Sequence, residues 1–153
     1  MTTQPSPISV SIASPQEVVE LQYAPLKEVA RTVLTGEGIK AAKISLAFVD
    51  DVTSARLNKQ FLDHDGPTDV LTFPLSNKGA KKLEGELVIG AEVALRTAKE
   101  YTHGVHEELC LYIIHGLLHL CGYDDRTPQA TKEMRNKERE YLARCGLPNI
   151  ADE

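Results

Sequence analysis

The chain has 153 residues, a formal net charge of −5, 42% hydrophobic and 25% charged residues, three cysteines and no tryptophan. That is the composition of an ordinary globular protein, long enough for one domain with a sizeable core of its own. It argues against a membrane-spanning protein, because no apolar run approaches the ~18 residues that a span requires; against a disulfide scaffold, because Cys110, Cys121 and Cys145 are odd in number and unpaired in spacing; and against broad, charge-driven adhesion to nucleic acid.

The start, Met-Thr-Thr-Gln-Pro-Ser-Pro, has neither the basic region nor the apolar stretch of a secretory signal, so a cytoplasmic protein is expected, with residues 1–6 a loose end. Ile8 to Ile12 alternates apolar and polar residues and predicts a strand. Pro25 then opens a helix with apolar residues at 26, 29, 30, 33 and 34, which Gly36-Glu-Gly38 ends. Ala42 to Val49 predicts a second strand, with Ile44, Leu46 and Phe48 on one face. Asp51 or Thr53 can cap the next helix, which runs through Leu57, Phe61 and Leu62 until Asp65-Gly66-Pro67 breaks it. Val70 to Phe73 is a short strand closed by Pro74. Residues 76–82 are polar turn material carrying Lys78, Lys81 and Lys82, and Glu86 to Ile89 is the returning partner strand.

Ala91 to Tyr101 reads as a helix, and Glu107 to Leu120 as another, apolar almost all round and therefore buried. Pro128 fits the first turn of a last helix through about Leu142, with residues 147–153 a loose end. The basic residues Lys132, Arg135, Lys137, Arg139 and Arg144 of that helix are interleaved with Glu133, Glu138 and Glu140, as on a solvated face. The order βαβαββααα predicts a single α+β domain: a small mixed sheet of about four strands with five helices.

The chemistry concentrates in His115-Gly-Leu-Leu-His119-Leu-Cys-Gly122-Tyr-Asp124-Asp125. Positions i and i+4 share one helix face, so two imidazoles there can converge on one ion, as on the metal helix of zincin-like hydrolases. On a nearly all-apolar helix each neutral ring has a donor and an acceptor to satisfy, and one shared metal serves both. Gly122 can end the helix in a left-handed turn and return Asp124 or Asp125 as a third ligand. Two nitrogens and a carboxylate oxygen, with one position open, make a catalytic rather than a structural site. Cys121 points to another helix face. Gly116 stands where a His-Glu-x-x-His peptidase has its general base, which disfavours proteolysis. The same ligand set also occurs in iron(II) oxygenases, although the helix–turn layout is more like a zinc hydrolase.

These residues resemble the YbeY family of bacterial endoribonucleases. Its signature, His-Gly-x-Leu-His-Leu-x-Gly-Tyr-Asp-His, is met at ten of eleven positions by residues 115–124. A second family segment, Asn-x-x-Tyr/Phe-Arg-x-x-Asp-x-Pro-Thr-Asp-Val-Leu-Ser-Phe, is similar to Asn58 to Phe73, with Thr72 in place of the serine. Gly85 to Gly90 resembles the family's Gly-Asp-Ile strand, and Met134 its downstream methionine. The likeness runs from about Val10 to Leu142.

The resemblance implies a small α+β fold in which three histidines hold zinc. It also implies cleavage of single-stranded RNA, maturation of the small-subunit ribosomal RNA at its 3′ end and ribosome quality control. Carried over by position, the ligands are His115, His119 and Asp125, the last in place of the family's histidine, and they are also the catalytic centre. The expected cofactor is one zinc ion, or another divalent metal. Expected partners are single-stranded or ribosomal RNA and the ribosome or its assembly proteins, with neither membrane nor DNA. A second departure is Leu62, where the family has an arginine near the metal; Lys59 and His64 are the nearby groups able to supply charge or a donor. Leu62 and Asp125 together motivate an alternative, a metal-binding ribosome-assembly factor with weakened nuclease chemistry. A metal hydrolase acting on another substrate is a third reading.

Overall fold

The computed structural model describes residues 7–151. Four strands and five helices follow in the expected order: β1 (Ile8–Ala13), α1 (Tyr23–Gly36), β2 (Ala42–Val49), α2 (Asp51–Leu62), β3 (Val70–Pro74), β4 (Leu83–Gly90), α3 (Ala91–Glu100), α4 (Val105–Leu120) and α5 (Pro128–Arg144). They form one mixed sheet of order β1-β2-β4-β3, in a single α+β domain. β1, β2 and β4 run parallel, and β3 lies antiparallel on the edge beside β4.

The two-residue period of the strands sorts their side chains. Ile44, Leu46 and Phe48 of β2, with Leu87 and Ile89 of β4, face the main core against Leu26, Val33 and Leu34 of α1 and Ile113, Ile114, Leu117 and Leu118 of α4. Val49, Val88 and Leu71 face the other way into a smaller cluster with Leu57 and Phe73. α4 is thus pressed between the sheet and helices α1, α3 and α5, which is why it is apolar nearly all round. Gly116 marks its closest approach to the sheet: a Cβ there would come within 2.9 Å of the Leu87 methyls and 3.2 Å of Val70 Cγ2. The position that a peptidase gives to glutamate is spent here on packing.

Three local expectations need correction. Asp50, not Asp51 or Thr53, caps α2: its carboxylate accepts from the Thr53 amide at 2.9 Å. β4 begins three residues before Glu86, because Leu83, Glu84 and Gly85 extend the ladder with β2. The loose end expected from residue 147 is packed as far as the structure describes it, with Leu147 against the core and Ile150 only 4% exposed. The expected loose residues 1–6, and 152–153, lie outside the described residues. Among the described residues, no helix is long and apolar enough to cross a membrane. All three cysteines are free thiols.

Candidate metal centre

Both histidines sit in the last two turns of α4, half-buried. The helix ends as the glycine predicts. Gly122 takes φ +106°, the Tyr123 amide bonds back to the Leu118 carbonyl at 3.0 Å, and the Gly122 amide bonds to the His119 carbonyl at 3.1 Å. That pair of bonds is a Schellman closure, which satisfies carbonyls that the helix end would otherwise leave open. It also swings the Tyr123 carbonyl over the His119 ring, whose Nδ1–H donates to it at 3.1 Å.

The His115 ring is held from another side. Its Nδ1–H donates at 3.0 Å to Glu138, a fully buried carboxylate of α5 that also accepts from Arg135 at 2.7 Å. With both Nδ1 protons committed to acceptors, the two Nε2 lone pairs face each other at 3.1 Å. Neutral rings in that arrangement repel unless a proton or a cation lies between them. Two nitrogens bound to one tetrahedral zinc at 2.0–2.1 Å stand roughly 3.3 Å apart, so the pair is spaced for a shared ion. Burial lowers the proton affinity of both rings. For His115 the Glu138 hydrogen bond and nearby carboxylate charges outweigh burial and raise its pKa, whereas for His119 burial and the neighbouring His115 prevail and lower it.

Asp125 completes the set. One atom from each of His115, His119 and Asp125 lies within 4.8 Å of the others, and Asp125 is the exposed member. Its backbone is tied down by Thr131, whose hydroxyl donates to the Asp125 carbonyl at 3.2 Å. Asp124 turns elsewhere, accepting from the Arg126 amide at 3.1 Å. Cys121 stays out of the cluster, its thiol pushed by burial up to about 11. The donor set fits a divalent metal with nitrogen and oxygen ligands.

Glu138 is the functional residue that sequence reasoning passed over. Its signal was positional: it shares the buried stripe of α5 with Met134, Tyr141 and Leu142. A carboxylate on such a stripe requires a partner inside the protein.

A cavity of about 250 Å³ opens beside His115, lined by Asp69, Thr97, Tyr101, Glu108, Leu111, Tyr112, Arg135 and Glu138. Asp69 reaches it because α2 grips the preceding loop. Buried Ser54 exchanges hydrogen bonds with the Thr68 backbone at 3.0 and 3.2 Å, and buried Asn58 donates to the Gly66 carbonyl at 2.9 Å. The Gly90 amide then bonds to the Asp69 carbonyl at 2.8 Å. A Cβ at Gly90 would stand 2.4 Å from the Thr68 carbonyl oxygen. Gly90→Ala is therefore expected to push the 66–69 loop off the sheet and to lower stability by about 1–3 kcal/mol. Denaturant unfolding checks it; an unchanged midpoint would show that the loop yields freely.

A larger groove, about 840 Å³, runs past the end of α4 between Ile39–Ala41, the β3–β4 hairpin and Leu120–Gly122, and Lys40, Lys78 and Lys81 line it. Of the three hairpin lysines singled out in the sequence, Lys82 is not part of that lining, and Lys40 joins in its place. Lys59 is engaged by Asp63 at 3.0 Å and Asp65 at 3.5 Å, and neither it nor His64 lines the cavity beside His115.

A four-stranded mixed sheet backing a buried two-histidine helix, with a carboxylate returned by a glycine turn, defines a small α+β protein with a hydrolase-type candidate metal centre. The family model described as Endoribonuclease YbeY matches residues 11–146, and the chain belongs to that family. It is 37% identical over 145 residues to the Endoribonuclease YbeY of Salinibacter ruber, covering 90% of this chain and 91% of that one. It is 40% identical over 129 residues to that of Pelotomaculum thermopropionicum, covering 80% and 85%. The solution structure of TM1509 from Thermotoga maritima shares the fold, with a TM-score of 0.60 over 95% of each chain at 23% identity.

Proposed function

We propose that this chain is a cytoplasmic, metal-dependent endoribonuclease. On this reading it cuts single-stranded RNA, matures the 3′ end of the small-subunit ribosomal RNA and takes part in ribosome quality control, with the ribosome or its assembly proteins as partners. His115, His119 and Asp125 would hold one zinc ion. The observation that carries the reading is the pair of facing imidazole nitrogens with the Asp125 carboxylate alongside. Family membership supplies the substrate class.

When bound, zinc supplies a Lewis acid that polarises a phosphate oxygen and activates water or the RNA 2′-hydroxyl. The protein's own contribution is positional. Glu138 and the Tyr123 carbonyl fix both ring tautomers so that each Nε2 is free to ligate. Exposed Asp125 leaves one side of the centre open to a polymer. Lys40, Lys78 and Lys81 make no ion pair among the described residues and can meet the RNA backbone along their groove.

The test uses purified protein with its zinc quantified, incubated with a labelled single-stranded RNA and with the same RNA as a duplex. Only the single strand is expected to be cut. Chelation should slow cutting by more than the roughly 10²–10³-fold that loss of one preorganised donor costs, and stoichiometric zinc should restore it. Equal cutting after complete metal removal would overturn the reading. Bound zinc without cutting, together with co-sedimentation with ribosomes, would establish the alternative of a non-cleaving assembly factor. Leu62, 52% exposed and uncharged, is the feature that favours that alternative.

A further inference from the structure

The cavity beside His115 is lined by three carboxylates, Asp69, Glu108 and Glu138, and by one permanently charged cation, Arg135. Each carboxylate already has a partner. Asp69 accepts from the Val70 amide at 2.7 Å and the Thr68 hydroxyl at 3.1 Å, Glu108 bonds to His103 at 2.5 Å, and Glu138 is shared by His115 and Arg135. Arg135 is the group with capacity left over. Its Nη1 is fixed on Glu138, at 2.7 and 3.5 Å from the two oxygens, while Nη2 and Nε make no hydrogen bond among the described residues. The side chain is 43% exposed. The same buried carboxylate therefore positions both a candidate metal ligand and a guanidinium.

No other lysine or arginine lines this cavity, and several cations elsewhere are already engaged. Lys59 is held by two aspartates, Lys137 by Glu37 and Glu140, and both Nη atoms of Arg96 by Asp51. Lys40, Lys78 and Lys81 line the separate groove at the end of α4.

We infer that Arg135 binds a phosphate of the RNA at the metal centre, with Glu138 anchoring one arm of the guanidinium and its remaining donors meeting the phosphate oxygens. A planar fork with one arm fixed loses little freedom on meeting a phosphodiester, and a lysine would keep the charge without the fork. This assignment rests on the endoribonuclease reading and gives the substrate's phosphate a specific receptor.

The experiment compares zinc-loaded wild type with Arg135→Gln and Arg135→Lys on one single-stranded RNA. It measures kcat, KM, zinc content, thermal unfolding and the salt dependence of RNA binding. Arg135→Gln is expected to lower kcat/KM by about 10²-fold with zinc content unchanged, on the scale of losing one preorganised donor. Its slope of log affinity against log salt should become shallower by about 0.7, the loss of one phosphate contact on a single strand. Arg135→Lys should recover the slope and only part of kcat. A glutamine variant with the wild-type slope and kcat/KM overturns the inference. So does one whose activity falls only in proportion to lost zinc or lost folded protein, which would leave Arg135 a mere support for Glu138. Wild type that neither binds nor cuts RNA removes the endoribonuclease reading and this assignment with it, whereas active wild type beside an indifferent glutamine variant removes this assignment alone.

Discussion

Replacing His115 by alanine is expected to abolish stoichiometric zinc binding and RNA cleavage in one step, the latter by about 10³-fold or more. The substitution deletes one of the two facing nitrogens and leaves a single imidazole and an exposed carboxylate, too few ligands for a catalytic site. It also takes one of two partners from Glu138, which has no access to water. Removing one side of a buried pair costs about 3–5 kcal/mol, and the remaining Arg135 contact should keep the loss toward the lower end. His119→Ala gives the internal comparison. Its ring donates only to a backbone carbonyl beside the helix end, so zinc should be lost as completely with a smaller drop in stability. Zinc per chain, single-turnover cleavage and thermal unfolding of both variants check this. Zinc retained by His115→Ala at wild-type affinity would show that the ion sits elsewhere.

Glu138→Gln is expected to weaken zinc binding by about 10–100-fold, the usual effect of losing the partner that orients a ligating histidine. The side chain keeps its shape and loses its charge. Its amide offers one oxygen where two donors, His115 Nδ1–H and Arg135 Nη1–H, now find acceptors, and its NH₂ must face one of those donors. The His115 ring should then rotate or change tautomer, and the Nε2 lone pair no longer points at its neighbour. Competition titration with a zinc chelator measures the affinity directly, and an affinity within twofold of wild type would sink the orienting role. Because Glu138 has no contact with solvent, the variant should also unfold at lower temperature without zinc.

The parts of this molecule that were legible beforehand are those that local rules decide. β2 is bounded as its alternation requires, and α4 and its glycine turn follow from apolar continuity and one left-handed residue. The histidine pair needed only helix geometry, and Asp125 rather than Asp124 has a carboxylate oxygen within 4.8 Å of it. What stayed hidden depends on contacts between distant segments. The return of β4 beside β3 was legible, but the insertion of β4 between β2 and β3, which leaves β3 on the edge, is a matter of topology that no single strand reveals. Ile150 is buried because the chain after α5 folds back on the core, although its sequence is short and rich in turn residues. Glu138 looked like one acid on a mixed-charge face until α4 supplied the ring it holds. The cap of α2 is Asp50 rather than Asp51 or Thr53, because two adjacent aspartates offer the same carboxylate and only backbone geometry shows which one reaches the Thr53 amide.

The uneven burial of the three candidate donors has a consequence for how the protein would handle an ion bound there. Two of them stand on a rod anchored in the apolar core by its own Ile113, Ile114, Leu117 and Leu118, with an end closed by backbone bonds, and neither feature calls on a metal. The third hangs on a turn open to water. Occupancy can therefore change on an already folded chain, unlike a zinc finger, whose fold collapses without its ion. Zinc should add stability only as mass action dictates, rising with the logarithm of its free concentration. Scarcity of the metal would then silence the molecule without destroying it, and resupply would revive the same copies.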